Sequence, residues 1–413
     1  MSDYFRIALR SWLGIALCAG MVSCGGGGDG LGSSDGGSGS GTAAANNVVS
    51  VTVSGGPSNN ALNVLYTTVT VCLPGTSNCQ TIDNIQVDTG SYGLRILAPV
   101  LTLTFPVLAL SNGSALVECT AFVDGYSWGP VTLADVQVSG ESASSVPVQI
   151  IGDSRYPSVP TDCVNAPAVP TAEDTVASFG ANGIIGIGPF TSDCGEVCVQ
   201  SVPEPIIYYA CSTESNCTGT TVPAGSQVPN PVTLFAMDNN GTIITLPSAP
   251  SAGTTTLTGS LIFGIDTESN NASGTETVVP IATSGNYAGY FTTDFNNTTL
   301  PESFIDSGSN AYFFTDTSLS QCTQSGFSGF YCPPSTTSLS GEMQLASGTS
   351  TVDFDVASAE QINATYFVYP GLGGTNSQPN SFDWGLPFFF GRRVATAIDG
   401  YTTSAGSGPY IAY

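Results

Sequence analysis

From Val48 onward the apolar residues come in short runs cut by Gly, Pro, Asn and Ser. The runs include VVSVTV at 48–53, NVLYTTVTVCL at 63–73, VTLADVQV at 131–138, GTIITL at 241–246 and GSLIFGI at 259–265. Runs of this length, bounded by turn formers, predict strands. Few stretches show helical periodicity, and Val202–Cys211 is one short candidate helix. The pattern predicts an all-β, mainly antiparallel protein of two lobes with few short helices. The lobe junction falls between 230 and 260, and we divide the chain into an N-terminal lobe at 48–240 and a C-terminal lobe at 241–413.

The N-terminus follows a different pattern. Residues 1–23 carry Arg6 and Arg10, then an apolar stretch from Trp12 to Val22. That stretch is too short for a membrane span and predicts a secretion signal. It ends in Met21-Val22-Ser23-Cys24, which resembles a bacterial lipobox, with Met where Leu is usual. The resemblance implies lipidation of Cys24, and the following Gly25 resembles that of lipoproteins sorted to the outer membrane. The alternative is an ordinary signal peptide with an incidental Cys. Residues 24–47 then form a Gly/Ser tether with no capacity to bury a core. The expected location is therefore extracytoplasmic, with the membrane reached through the lipid anchor only.

Composition narrows the chemistry. The chain has no His, and its six basic residues are all Arg: Arg6, Arg10, Arg95, Arg155, Arg392 and Arg393. A Ser–His–Asp triad, a Cys–His pair, a His-ligated zinc and a Lys Schiff base all lack their essential residue. Asp, Glu, Tyr and Cys are left as candidates for proton transfer. The net charge of −25 at pH 7 repels nucleic acid and anionic membrane. Only 9% of residues are charged and 41% are hydrophobic, so the acidity does not signal disorder. Carboxylate repulsion relaxes in acid, which suggests tolerance of low pH.

Twelve Cys are present, and Cys18 and Cys24 fall in the leader. The remaining ten read as up to five disulfides in an exported chain. Cys72–Cys79 and Cys322–Cys332 are plausible local pairs. The other six, Cys119, Cys163 and a cluster at 194–217, have no connectivity that spacing can assign. Zinc is the competing reading for Cys194 and Cys198.

One phrase occurs twice: IQVDTGSYGLRI at 85–96 and SFIDSGSNAYFF at 303–314. Each copy puts one carboxylate, Asp88 or Asp306, at the end of a short apolar strand. Each then turns through Gly and a hydroxyl residue into a second apolar run. Two similar lobes would thus each deliver one aspartate to a shared site, and a carboxylate pair can do acid/base chemistry on water.

The doubled phrase resembles the signature of the pepsin-like aspartic proteases. GIIGIG at 183–188 resembles the strand that, in this family, crosses beneath the aspartate loop. Residues Phe382–Asp399 resemble its counterpart in the second lobe, although Asp383 stands where the pattern has an apolar residue. The segments at 131–140, 241–246 and 259–265 fall in the family's order, so the resemblance spans about residues 48–400. It implies the two-lobed pepsin-like acid protease fold. It implies that Asp88 and Asp306 are the catalytic pair and that no cofactor or metal is needed. Thr89 and Ser307 would bond across to the opposite loop. Gly90 and Gly308 would let the loops approach. Ser91 and Ser309 would hydrogen-bond the outer carboxylate oxygens.

The family also closes a hairpin over its substrate, with a Tyr at the tip. The matching position here is Phe122, and Tyr126 is the nearby alternative; either aromatic could instead belong to the core. Asn182 replaces an Asp of the family's pattern. Arg95 is expected to pair with a carboxylate and is given no catalytic role. The Cys-rich segment from Cys194 to Cys217 reads as a stapled surface insertion.

The expected function is aspartic endopeptidase action on an extended peptide or unfolded protein by a monomer. One alternative is a catalytically weak or inactive pepsin-like module that binds peptides or proteins at the cell surface. Another is a structural β-protein of the cell surface, for which Asp88 and Asp306 would lie apart.

Overall fold

The computed structural model describes residues 46–167 and 169–413. The secretion signal at 1–23, Cys24 and nearly all of the tether at 24–47 lie outside the described residues. Strand makes up 42% of the chain and helix 8%, so the protein is all-β, and its sheets curl in a barrel-like way.

Among the described residues, ten strands precede residue 241. They are β1 (Val48–Val53), β2 (Leu65–Cys72), β3 (Cys79–Asp88), β4 (Tyr92–Leu97), β5 (Ala115–Ala121), β6 (Tyr126–Val138), β7 (Glu141–Ile151), β8 (Gly183–Ile187), β9 (Tyr208–Thr213) and β10 (Asn216–Gly219). Next come β11 (Gly241–Thr245), β12 (Leu257–Phe263), β13 (Val278–Pro280), β14 (Phe291–Phe295), β15 (Thr298–Ile305), β16 (Tyr312–Phe314), β17 (Thr337–Gln344), β18 (Thr349–Val356), β19 (Gly373–Thr375), β20 (Asp383–Trp384) and β21 (Arg393–Ala397). The helices include three of one turn or little more: α1 (Thr161–Val164), α2 (Val176–Phe179) and α3 (Glu196–Gln200).

Most strand pairs are antiparallel, as short turns between sequential strands require. Two of the exceptions position the site. Strand β8 lies between β3 and β4, parallel to β3 and antiparallel to β4. Strand β20 lies between β15 and β16 in the same sense. Each lobe thus threads one late strand between the two arms of an aspartate loop.

The division at 240/241 is not a break in the sheet. All six residues of β1 pair with β12, from Val48↔Ile262 to Val53↔Leu257. Strand β11 continues the same sheet through β21 to the segment Tyr410–Ala412. A single apolar core includes Val87 and Ile185 from the first half and Ile305, Phe314, Phe382 and Trp384 from the second.

Five disulfides brace the loops: Cys72–Cys79, Cys119–Cys163, Cys194–Cys198, Cys211–Cys217 and Cys322–Cys332. The zinc reading of Cys194 and Cys198 is thereby corrected, since both sulfurs are spent on each other. Five such bonds mark an oxidising, extracytoplasmic setting. The helix expected over Val202–Cys211 is also corrected. Tyr208–Thr213 is strand β9, held by β5 on one side and β10 on the other, while the helix of this region is α3 just upstream. Long-range pairing with β5 overrode the local apolar spacing.

Candidate functional site

Strand β3 runs buried into Asp88, and β15 runs buried to Ile305 just before Asp306. Both aspartates sit where their strand ends and the chain must turn. The turn is made by Thr89-Gly90-Ser91 in one lobe and Ser307-Gly308-Ser309 in the other. Beneath each turn passes the late strand, with Asp88 opposite Gly186 on β8. The Asp306 amide donates to the Trp384 carbonyl at 3.0 Å, which anchors the second turn to β20.

The two turns face each other and interlock. The Thr89 amide donates to Ser307 Oγ at 3.1 Å, and the Ser307 amide donates to Thr89 Oγ1 at 2.9 Å. Each hydroxyl then donates onward across the junction. Thr89 Oγ1 donates to the Ile305 carbonyl at 3.3 Å, and Ser307 Oγ to the Val87 carbonyl at 2.9 Å. All four groups are buried, so each bond satisfies a polar group that water does not reach.

The glycines between them make this approach possible. A Cβ on Gly90 would stand 2.6 Å from Asp306 Cγ, and one on Gly308 would stand 2.5 Å from Asp88 Oδ1. Each glycine therefore presses against the aspartate of the opposite lobe, and any larger residue would push the turns apart.

The carboxyls are held alike. Asp88 Oδ1 accepts from the Gly90 amide at 2.7 Å, and Asp88 Oδ2 from Ser91 Oγ at 2.5 Å. Asp306 Oδ1 accepts from the Gly308 amide at 2.7 Å and Asp306 Oδ2 lies 2.9 Å from Ser309 Oγ. The two carboxyls are neighbours: a Cβ on Gly308 would stand 2.5 Å from Asp88 Oδ1 and 3.0 Å from Asp306 Oδ1. Burial is the main reason that the Asp306 carboxyl is pushed well above the usual range, and the charges of Asp88 and Asp383 add to it. Two buried carboxyls this close cannot both ionise cheaply, so the arrangement favours one proton between them.

The six supporting residues expected from the doubled phrase thus meet at one point. The two flap candidates do not join them. Phe122 packs edge-on against Phe179, with ring centroids 5.9 Å apart, in a cluster with Val64, Leu97, Ile151 and Ile184. Tyr126 lies in another cluster with Trp128, Tyr209 and the Cys119–Cys163 disulfide. The hairpin of β5 and β6 is itself pinned. The Tyr126 amide donates to Thr171 and the Glu173 amide donates back to Tyr126, both at 2.8 Å.

Two residues gain roles that sequence did not assign. Arg95, just after the first turn, is fully buried. It donates to the Tyr92 carbonyl at 2.5 Å, to Glu118 Oε1 at 2.5 Å and to Asp193 Oδ2 at 3.2 Å. It therefore ties the exit of the Asp88 turn to the hairpin strand β5 and to the base of the Cys-rich insertion. Burial opposes its charge, but Glu118 and Asp193 outweigh that and raise its pKa further. The second residue is Asp383, whose Oδ2 lies 2.5 Å from Ser309 Oγ. Its only sequence signal was a carboxylate where the surrounding pattern is apolar.

Elsewhere among the described residues, Cys322, Cys332 and Glu360 come within 4.8 Å of one another. Both sulfurs are joined in a disulfide and leave no thiolate for a metal.

Residues 43–413 match a protein family described as a protein of unknown function, DUF3443. The match covers most of the chain, and the chain belongs to that family. No curated protein matches the sequence.

Proposed function

We propose that this protein is an aspartic endopeptidase of the pepsin-like kind, with Asp88 and Asp306 as its catalytic pair. The observation that carries the reading is the reciprocal lock between the two turns, beside which one buried carboxyl from each lobe faces the other.

The chemistry follows from the proton count. With one proton between them, one carboxyl is a base and the other an acid. Burial, then the Asp88 charge, favours the proton on Asp306, so we assign Asp306 the part of the acid and Asp88 that of the base. Asp88 takes a proton from a water molecule, and the water oxygen bonds to the peptide carbonyl carbon. Asp306 donates its proton to the carbonyl oxygen as the tetrahedral centre forms. Collapse of that centre breaks the C–N bond: the proton held by Asp88 passes to the leaving amine, and one hydroxyl of the centre returns its proton to Asp306 as the carbonyl re-forms, which restores the pair. The substrate is an extended peptide or unfolded protein, held between the lobes by a monomeric enzyme.

The test is cleavage of an unfolded protein at about pH 4, with Asp88→Asn and Asp306→Asn as controls. Activity should fall by at least about 10³-fold in each variant. Equal cleavage by the double variant would remove the pair from the mechanism.

A second reading has a specific observation behind it. Phe122 and Tyr126 both turn inward, so the hairpin offers neither ring to a substrate. A peptide-binding module with weak or no turnover would fit that arrangement. It predicts tight binding of a peptide with a hydroxyl in place of the scissile carbonyl, and no cleavage across a peptide library.

We further infer that the chain is a lipoprotein anchored through Cys24, at the outer membrane of a bacterium. Replacement of Cys24 by Ala should release the protein from the membrane fraction.

A further inference from the structure

We propose that Asp383 is a positioning residue of the acid centre: it carries a proton while the pair is poised to act, and it sets Ser309 as the donor to Asp306. The inference rests on the reading of Asp88 and Asp306 as a proton-sharing pair.

The argument starts from one hydroxyl. Ser309 Oγ has a single proton, yet it lies 2.9 Å from Asp306 Oδ2 and 2.5 Å from Asp383 Oδ2. Ser309 can donate to only one of them. The other carboxyl must bring its own proton and donate to the hydroxyl, or two lone pairs would face each other in a buried site.

The first lobe indicates which. There, Asp88 accepts from the Gly90 amide and from the Ser91 hydroxyl. Asp306 has the same two neighbours in the same places, Gly308 and Ser309. Like donors on both members keep them matched in geometry, so Ser309 donates to Asp306. Asp383 is then the carboxyl that holds the extra proton. Three carboxyls, with exposures of 3%, 0% and 3%, thus hold two protons.

The arrangement is one-sided. Asp383 stands two residues before Gly385, and Ile184 stands two residues before Gly186. The two positions correspond by strand register. Ile184 belongs to an apolar cluster, so only the second lobe carries a third carboxyl.

Acidic and neutral groups surround Asp383. The elements packed on β20 carry Glu302 on β15, Tyr312 on β16 and Asp306 in the turn, with Asp88 arriving from the opposite lobe. Burial pushes the Tyr312 hydroxyl up, so it stays protonated. Arg392, the cation nearest in sequence to this turn, is engaged by the Tyr312 hydroxyl, the Phe388 carbonyl and the Phe388 ring. The largest charges acting on Asp306 are Asp88 and Asp383, both negative.

The consequence is a coupling. As pH rises Asp383 gives up its proton before the pair does, and the negative charge then beside Asp306 opposes loss of the shared proton. The pair therefore stays singly protonated to a higher pH than it would alone.

The experiment uses the full chain with Asp383→Asn and Asp383→Leu. Two readouts are taken: the pH profile of cleavage of an unfolded protein, and a carbon-13 carboxyl NMR titration of the Asp-labelled wild type. The Asp383 signal is assigned by its absence from whichever variant folds. In the variants the alkaline limb should move down by about one pH unit; in the wild type the Asp383 carboxyl should titrate well above the usual Asp range. A limb unmoved in both variants, or a wild-type Asp383 that ionises below about pH 4, overturns the proposal. If the wild type cleaves nothing, the NMR titration still decides whether Asp383 holds its proton, so failure of the enzymatic reading is told apart from failure of this one.

Discussion

Thr89 and Ser307 donate their backbone amides to each other's side-chain hydroxyls, at 3.1 and 2.9 Å, across the junction of the two halves. The exchange is reciprocal, so neither bond can be lost alone without leaving a buried group unsatisfied. Thr89→Val keeps the shape but leaves the Ser307 amide without its acceptor. The expected loss is about 1–3 kcal/mol of stability, read from the denaturant midpoint. Ser307→Ala should cost a similar amount. The double variant should lose less than the two effects added, because both act on one network. Full additivity would show that the two residues do not act together.

Gly90→Ala and Gly308→Ala test the approach of the turns. Each new methyl would meet the opposite aspartate at 2.6 and 2.5 Å, too close to be accommodated without opening the pair. A shift of about an ångström in reacting groups costs on the order of 10²-fold in rate. The expectation is a fold that survives, shown by an unchanged far-ultraviolet spectrum, with cleavage reduced by about that factor. Undiminished cleavage would mean that the turns do not need this contact.

Arg95 offers a test of buried charge. Its replacement by Met would leave Glu118 and Asp193 buried without their cation. Removal of one partner from a buried ion pair costs about 3–5 kcal/mol. Thermal unfolding of Arg95→Met should show a loss of this size at pH 7. The loss should shrink in acid, where Asp193 takes up a proton. Burial, then Glu118, already raises the Asp193 pKa well above the usual range.

The pH dependence of stability has a definite sign. Asp306 and Asp193 both bind protons more tightly when folded. Their contribution is fully present below the unfolded carboxyl pKa of about 4 and is lost as pH rises through the raised folded values. Asp266 has the opposite sign. Burial would raise it, but hydrogen bonds from Ser273 and Ser404 pull it to about 2. Its contribution is present above about 4 and is lost as pH falls below that, through about 2. Repulsion among carboxylates, with a net charge of −25 at pH 7, adds to the loss at neutral pH. The melting temperature should therefore rise as pH drops from 7 to about 4 and decline below it. A lower melting temperature at pH 4 than at pH 7 would contradict this.

Local chemistry was the legible part. Strand β1 matches the run VVSVTV residue for residue, and β2, β11 and β12 fall within two residues of their apolar runs. The two aspartate turns were visible because a strand end, a glycine and a hydroxyl are all specified within five residues. Cys72–Cys79 and Cys322–Cys332 close short loops and were among the plausible pairs.

What was not legible depends on distant partners. Val202–Cys211 looked helical, but β5, about ninety residues earlier in the chain, pairs with its last four residues as strand. Arg95 was expected to pair with a carboxylate, but no local signal says that Glu118 and Asp193 converge on it. Asp383 looked like an irregularity in an apolar segment. Only the pairing of Phe304 with Asp383 brings its carboxyl to the hydroxyl of Ser309. Phe122 and Tyr126 were candidates by position in a hairpin, and no local signal told which way their rings would turn.

The pairing of β1 with β12 bears on how the chain is made. A chain delivered N-terminus first presents β1 early, but the strand that covers its open edge ends at Phe263. Until then a row of backbone donors and acceptors stands unpaired, as an invitation to any other extended segment. The first lobe cannot be finished on its own, and assembly waits for contacts some two hundred residues apart, which slows folding. A fragment ending near Asn240 should aggregate through that edge, while the longer chain seals it from within.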